Sequence, residues 1–330
     1  MITIRRAIYE DIPLIMAFID EYWKKGHILA RDREFFEWQY VDDSGVNVYI
    51  GIDEESQTIY GIEGVIKYNR SDNPDASCGM WKTIKSENPL LGMDIDDFLW
   101  RDLNARYACS AGLTNKAIKI HQLQGRSPLT MDHYYMLGDK SDYCIADIHK
   151  KVIKEVKDTG CHLAPIHSVE EMKQVISEET LLSYVLSKDY EYIRKRYFEH
   201  PVYRYDVWKI YSDRKEAESV IITREEEVNG NKACKIIDFY GNVNDLGEIG
   251  FSLRRLIEEN DYEYIDIYSF GVPTELYEKA GFIKLKVDDV NIIPNYFHPF
   301  EQRNVSISLM EPGIDGIRIF RGDGDQDRPC

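Results

Sequence analysis

A strand–helix–strand unit near the end of the chain constrains the fold more than any other sequence feature. Tyr264–Tyr268 alternates apolar and polar residues like a half-buried strand, and Pro273 then suits the first turn of a helix. Gly281 predicts the end of this helix, because glycine readily adopts the left-handed conformation found there. Phe282 opens the next strand.

The same unit occurs earlier, where the strand-like segment Arg106–Ser110 precedes the helical segment Asn115–Gly125. Aligning Gly125 with Gly281 gives an offset of 156 residues, close to half of the 330-residue chain. The same offset superposes two further pairs of segments, Ile4–Trp23 on Leu163–Ile176 and Asp32–Tyr40 on Asp189–Phe198. A repeat of this length predicts two copies of one domain. We expect a hairpin through Met131–Leu137 to complete the first copy, and Asp139–Asp158, which is charged, to link it to the second.

The closing segment of this unit resembles a known family. Leu276–Phe282 reads LYEKAGF and is similar to the signature that closes the coenzyme A-binding core of the GNAT superfamily of N-acyltransferases. Ile4–Trp23 resembles the first strand and helix of that fold. The resemblance implies an α/β fold with a mixed (α+β) sheet in two tandem GNAT-like domains. We expect residues 1–150 to bind acyl-CoA, and residues 151–330 to form a second, degenerate domain that contributes to the acceptor site.

The amino-acid composition limits the classes of binding partner and the cellular location that we expect. The net charge of −17 would repel a polyanion, so nucleic acid is not an expected partner. Six cysteines are scattered without metal-ligand spacing, which favours a reduced, cytoplasmic protein without a metal site. The first residues carry charges where a signal peptide has an apolar run, and no long apolar stretch predicts a membrane segment.

The resemblance implies that an acyl thioester lies where the central strand parts from its neighbour, and that the next loop and helix hold the pyrophosphate. In the first copy this loop is Lys85–Met93, and a helix N-terminus attracts phosphate through its free N–H groups. The candidate coenzyme A-binding residues are Lys82, Thr83, Lys85, Asn88, Leu91, Gly92, Met93, Asn115 and Lys116. In the second copy the corresponding segment is Gly241–Gly250, which contains acidic residues and no basic residue. We therefore place acyl-CoA in the first copy. The alternative is that Pro89–Gly92 is only a helix-entry turn.

Three residues are candidates for proton transfer. Asp94 follows the glycine of the loop and is a candidate acceptor for the proton of an attacking ammonium, with Glu63 as the competing base. His121 occupies the position where the family commonly has a tyrosine that protonates the departing thiolate, and an imidazole titrates near neutrality. The alternative for His121 is a purely structural role. Asp96 and Asp97 are interpreted as acids that stabilise the helix dipole.

The acceptor site is predicted in an aromatic loop of the second copy, with Tyr296, His298 and Arg303 as substrate-binding residues. The tandem length and the unusual C-terminal end resemble the anthrose-pathway nucleotide-sugar N-acyltransferases. This resemblance implies a dTDP-linked amino-dideoxyglucose acceptor and a 3-hydroxybutyryl donor. Two alternatives stay open, namely a Fem-like aminoacyl transferase for cell-wall precursors and a non-catalytic regulator that binds acyl-CoA.

Overall fold

The computed structural model describes residues 1–212, 215–311, 313–324 and 327–329. In chain order the strands are β1 (Ile2–Arg6), β2 (Val41–Asp42), β3 (Gly45–Val46), β4 (Val48–Asp53), β5 (Thr58–Lys67), β6 (Ala76–Thr83), β7 (Ala108–Ala111), β8 (Leu129–Thr130), β9 (Asp132–Leu137), β10 (Cys161–Ile166), β11 (Asp206–Ser212), β12 (Lys215–Val228), β13 (Asn231–Tyr240), β14 (Tyr262–Phe270), β15 (Ile283–Leu285), β16 (Tyr296–Phe297), β17 (Phe300–Glu301), β18 (Ser308–Met310) and β19 (Ile319–Phe320).

The α-helices are α1 (Ile12–Phe18), α2 (Ile28–Arg31), α3 (Arg33–Tyr40), α4 (Leu91–Leu103), α5 (Asn115–Leu123), α6 (Val169–Lys173), α7 (Glu178–Leu182), α8 (Tyr190–Ile193), α9 (Gly250–Asn260) and α10 (Thr274–Lys279). The π-helical turns Ile19–Trp23 and Arg194–Phe198 extend α1 and α8. None of the described helices is long and apolar enough to cross a bilayer.

The chain divides into two compact units that are not contiguous in sequence. Unit 1 contains residues 1–129, 309–313 and the described residues from Gly324 onwards, and unit 2 contains residues 130–308 and 314–323. The predicted functional domains, 1–150 and 151–330, therefore differ in extent from these units. Their assigned roles stay a prediction.

Both units contain the same sheet pattern. The first sheet has the order β1-β4-β5-β6-β7-β18-β8, and the second has the order β10-β11-β12-β13-β14-β9-β15 with β19 paired to β14. In each sheet three antiparallel pairs precede one parallel pair, which is β6 with β7 in the first sheet and β13 with β14 in the second. The mixed α/β fold and the duplication are thus confirmed.

The helix N-caps are duplicated as well, since an aspartate caps α3 in unit 1 and α8 in unit 2. Asp32 accepts a hydrogen bond from Phe35 N (2.9 Å) at the start of α3, and Asp189 accepts one from Tyr192 N (2.7 Å) at the start of α8. Each short acidic side chain satisfies a free N–H group of the first helical turn. The predicted glycine stop of α10 is confirmed, because Gly281 has a φ of 90°.

The segment after α5 departs from the prediction. We expected a hairpin through Met131–Leu137 to complete the first copy, but β9 lies between β14 and β15 in the second sheet. The predicted linker 139–158 is ordered in unit 2. There the buried Glu263 carboxylate accepts hydrogen bonds from the N–H groups of residues 144–146, at 2.8 to 3.1 Å.

Candidate functional site

A parting of two parallel strands defines the candidate site in unit 1. The strands β6 and β7 pair only at Ala76–Ala108, Ser77–Cys109 and Cys78–Ser110. Beyond this point β6 continues to Thr83 without a partner in β7. The helix α4 follows β6, and α5 follows β7, so the parting is flanked by the elements predicted to hold a thioester.

A cavity of about 360 Å³ with a mixed polar and apolar lining lies against β7. It is lined by Asp96, Trp100, residues 105–110, His121, Arg126, Met310 and Glu311. All of these residues belong to unit 1, since β18 brings Leu309 and Met310 back against β7. The lining includes carboxylate, guanidinium and imidazole groups, which can bind polar parts of a ligand and exchange protons.

Asp96 is the most buried acid in the cavity lining, at 2% exposure. Its Oδ1 accepts a hydrogen bond from Trp100 Nε1 (2.6 Å), and its Oδ2 accepts one from Gln124 Nε2 (3.2 Å). Trp100 lies one turn further along α4, at the i+4 position that places two side chains on one helix face. The earlier interpretation of Asp96 as a dipole-stabilising surface acid is therefore wrong.

His121 lies on α5 with only 4% of its surface exposed. Its Nδ1 is 3.1 Å from Gln124 Oε1 and 3.4 Å from Arg126 Nη1, and its ring lies 5.5 Å from the ring of Trp81 on β6. Burial lowers the pKa of His121, and the Arg126 charge adds to this, while Gln124 and Asp96 partly oppose it. The imidazole is therefore neutral at pH 7.

Glu63 lies on β5 at 1% exposure, and Cys78 Sγ donates a hydrogen bond to its Oε1 (3.1 Å). No partner for Glu63 Oε2 occurs among the described residues. Burial raises the pKa of Glu63 well above its usual range, and the neighbouring Asp96 charge raises it further. Ionising two buried carboxyl groups that lie close together is costly, and this favours the protonated form of Glu63.

Asp94, the other candidate base, is half-buried in the first turn of α4. Asn88 Nδ2 donates a hydrogen bond to its Oδ2 (2.6 Å), so Asp94 ties the loop to the helix. Neither Asp94 nor Glu63 is among the residues that line the cavity, whereas His121 is. The catalytic role of each stays a prediction.

The predicted coenzyme A-binding residues surround the start of α4 and the start of α5. No side chain caps the N-terminus of α4, whereas Thr114 caps α5 by accepting a hydrogen bond from Ala117 N. Lys82 is half-buried and Lys85 is exposed; Asn115 and Lys116 are exposed in the first turn of α5. At the start of α4 the N–H groups of Leu91, Met93 and Asp94 donate to the carbonyl oxygens of Asn88 and Leu90. Binding of a pyrophosphate there stays a prediction.

Within this loop, some residues serve the fold. Leu91 is 2% exposed and packs in the core of unit 1, so only its main chain is available to a ligand. A Cβ added to Gly92 would lie 3.4 Å from Thr83 Cγ2 and 3.5 Å from Trp81, which are ordinary contacts. The protein itself therefore does not require glycine at position 92. Met93 is half-buried beside it.

The predicted acceptor residues lie in unit 2. Tyr296 belongs to the short hairpin β16–β17, His298 is in its turn, and Arg303 follows it. The Arg303 guanidinium lies 5.6 Å from the Tyr296 ring and pairs with Glu301. None of the three lines the cavity of unit 1, and their role stays a prediction.

The corresponding parting in unit 2 is partly occupied by the chain itself. The strands β13 and β14 pair in parallel only as far as Ile236–Ile267. Beyond that point β19 pairs with β14 at Ser269–Phe320 and Phe270–Ile319, and Gly322 N donates to the Ile237 carbonyl (2.7 Å). In unit 2 residues 319–322 therefore lie beyond the last parallel pair, and a cavity of about 180 Å³ remains beside them, lined in part by residues 238–241 and Phe320.

Sequence reasoning missed Asp96, Gln124, Arg126 and Trp81 as members of the site. One signal was available, because Asp96 and Trp100 lie beside the apolar stripe of Ile95 and Leu99 on α4. Gln124 and Arg126 follow the helix end, and nothing in the local pattern relates them to α4. Among the residues that the structure describes, no three His, Cys, Asp or Glu side chains form a cluster that could hold a metal ion.

Comparisons with known proteins identify the fold. Neither a protein-family model nor a curated protein sequence matches this chain. Among solved structures, a GCN5-related N-acetyltransferase from Anabaena variabilis aligns with a TM-score of 0.56 at 9% identity, over 94% of this chain and 72% of that chain. A probable N-acyltransferase from Enterococcus faecalis aligns with a TM-score of 0.55 at 9% identity, over 93% and 72% of the two chains. This chain thus has the fold of the GCN5-related N-acetyltransferases, as the sequence predicted.

Proposed function

We propose that the chain is an N-acyltransferase that takes an acyl group from acyl-CoA in unit 1 and transfers it to an amine. The observation that carries this proposal is the parting of β6 and β7 beyond Cys78, together with the cavity that β7, α4 and α5 line in the same unit. The two aligned solved structures, an N-acetyltransferase and a probable N-acyltransferase, support the same reaction class.

In this proposal, different groups of unit 1 polarise the thioester carbonyl and bind the pyrophosphate. The unpaired N–H groups of β6 beyond Cys78 can polarise the thioester carbonyl. The start of α4 and the lysines Lys82, Lys85 and Lys116 attract the pyrophosphate of the donor. The amine attacks the thioester carbonyl directly, and coenzyme A leaves as a thiol without a covalent enzyme intermediate.

The finer proposal concerns the two substrates. The resemblance of the sequence to anthrose-pathway enzymes supports a nucleotide-linked amino sugar as acceptor and 3-hydroxybutyryl-CoA as donor. Aromatic Tyr296, His298 and the Arg303 guanidinium have the chemistry to stack on a base and to bind phosphate.

Release of free thiol tests the reaction. The purified protein is incubated with acetyl-, 3-hydroxybutyryl- and myristoyl-CoA and a panel of amines that includes dTDP-linked amino sugars, and thiol is measured against acceptor-free controls. We expect acceptor-dependent thiol release with a short acyl donor. Donor binding without release in any combination would instead indicate a regulator that binds acyl-CoA.

The donor site is tested by replacing Gly92 with valine. The contacts around Gly92 accommodate a Cβ, so we expect an intact fold but at least a tenfold loss of acyl-CoA affinity, about 1.4 kcal/mol, measured by calorimetry. The matched control is Gly247→Val in the corresponding loop of unit 2, which we expect to leave donor affinity unchanged. Equal affinity of the Gly92 variant and the unmodified protein would contradict a donor site at the start of α4.

A further inference from the structure

We infer that Asp96 and Gln124 are positioning residues that hold the His121 imidazole with its proton on Nδ1, so that Nε2 accepts the proton of the attacking amine. This inference rests on the proposed function and assigns roles within the same cavity. It reverses the direction of the first proton transfer expected for His121, which was predicted only to protonate the departing thiolate.

Asp96 makes two side-chain hydrogen bonds. A tryptophan indole is only a donor, so the 2.6 Å contact from Trp100 Nε1 makes Asp96 Oδ1 an acceptor. Asp96 Oδ2 is an acceptor as well, in its hydrogen bond with the Gln124 side chain. The group 3.2 Å from Oδ2 must then be the amide nitrogen of Gln124.

The orientation of Gln124 determines the tautomer of His121. With its nitrogen directed at Asp96, the amide places its oxygen 3.1 Å from His121 Nδ1. An amide oxygen only accepts, so Nδ1 carries the hydrogen and Nε2 has none. The competing contact from Arg126 to Nδ1 is longer, at 3.4 Å, and a guanidinium cannot accept that hydrogen. No partner of Nε2 occurs among the described residues.

The groups that face His121 come from four elements. They are Asp96 on α4, Arg126 after α5, Glu63 on β5 next to Asp96, and the Trp81 ring on β6. Burial comes first in lowering the pKa of the imidazole, and Arg126 opposes an imidazolium as well. A neutral ring with a bare Nε2 is a base.

The proton that His121 accepts is passed on to a product within the same reaction. The amine nitrogen forms a bond to the thioester carbon, and its surplus proton moves to His121 Nε2. The carbon–sulfur bond then breaks, and the imidazolium passes the same proton to the thiolate of coenzyme A. The products are an amide and a free thiol, and His121 returns to its neutral form.

Asp96→Asn tests the inference at the level of single atoms. The new Oδ1 still accepts from Trp100, so the new Nδ2 faces Gln124 and can only donate. Gln124 must then reverse its amide, its nitrogen donates to His121 Nδ1, and the ring proton moves to Nε2. The matched control is Asp97→Asn, which removes an exposed charge from the adjacent position of α4.

The first readout needs no substrate. Nitrogen NMR of protein labelled in its histidines reports which ring nitrogen of His121 carries the proton, with His121→Gln used for assignment. We expect the proton on Nδ1 in the unmodified protein and in Asp97→Asn, and on Nε2 in Asp96→Asn. A proton on Nε2 in the unmodified protein, or an unchanged tautomer in Asp96→Asn, would overturn the inference.

The second readout is kinetic. We expect Asp96→Asn to lower kcat by about 100-fold, the usual contribution of a positioned base, with the KM for acyl-CoA changed less than twofold. In the unmodified protein, kcat should rise with pH through the lowered pKa of His121 and reach a plateau by pH 7. An equal loss in Asp97→Asn would refute a specific role for Asp96. Absence of all turnover would contradict the proposed function, and the NMR result would still decide the tautomer.

Discussion

At the scale of single residues, Asp266 shows how unit 2 differs from unit 1. Its carboxylate is fully buried and pairs with Arg321 at 2.6 and 3.1 Å, while His133 Nε2 lies 2.8 Å from its Oδ2. A buried carboxylate requires such partners, because its desolvation is costly. In unit 1 the buried acid Asp96 binds Trp100 and Gln124 instead, and it lines a cavity.

Removing the charge of Asp266 should therefore destabilise the protein strongly. We expect Asp266→Asn to lower the free energy of unfolding by about 3–5 kcal/mol, because Arg321 loses its buried ion pair with Asp266. Chemical denaturation followed by circular dichroism measures this change. Glu259→Gln, which breaks an exposed pair with Arg255, should cost no more than about 0.5 kcal/mol. Similar losses in the two variants would refute the role assigned to Asp266.

The same carboxylate predicts a pH dependence of stability. Burial alone would raise the pKa of Asp266, but Arg321, Lys235 and His133 outweigh it and hold this pKa well below its usual value of 3.8. A pKa that is lower in the folded state contributes stability above pH 3.8, and this contribution is lost as the pH falls below that value. Unfolding free energies measured from pH 6 down to pH 2 should fall more steeply for the unmodified protein than for Asp266→Asn. Parallel curves would contradict this linkage.

At the scale of elements, the C-terminal segment distinguishes the two partings. In unit 2 the strand β19 and Gly322 occupy the space beyond the last pair of β13 and β14. Gly322 is needed there, because an added Cβ would lie 2.4 Å from Tyr197 Oη and 3.1 Å from the Ile237 carbonyl oxygen. This close approach brings the main chains of Gly322 and Ile237 together.

Replacing Gly322 with valine should displace β19. We expect faster amide exchange in residues 319–323, together with a loss of roughly 1–3 kcal/mol of stability from overpacking. Hydrogen exchange with mass spectrometry measures the first effect. Asp315→Val introduces the same side chain at an exposed position of the same segment and should leave exchange in β19 unchanged. Unaltered exchange in the Gly322 variant would show that β19 does not depend on this approach.

At the scale of the whole molecule, the two units are interleaved along the chain. Unit 2 includes β9, which lies between β14 and β15, although β9 precedes residue 150 in sequence. Unit 1 in turn includes residues 309–313, which follow almost the whole of unit 2. A central strand supplies main-chain hydrogen bonds on both sides, so its loss exposes two strand edges.

The folding of a fragment that contains unit 2 should therefore depend on whether the fragment includes β9. A fragment of residues 151–330 lacks β9, and we expect it to aggregate or to give poorly dispersed NMR spectra. A fragment of residues 130–330 keeps β9 and should give a dispersed spectrum and a cooperative unfolding transition. Equal behaviour of the two fragments would show that β9 is dispensable for unit 2.

The sequence by itself determined the local elements and their duplication. Helix stops, such as Gly281, and aspartate caps, such as Asp32 and Asp189, act within a few residues and are legible in the local pattern. The fold class and the position of His121 beside the strand parting were predictable, because the strand–helix–strand unit that contains His121 repeats along the chain with a fixed offset. Tertiary structure alone decided that β9 joins the second sheet, that β19 fills the second parting, and that Gln124 links Asp96 to His121. Each of these depends on contacts between residues distant in sequence, which burial and hydrogen bonding select and no local pattern encodes.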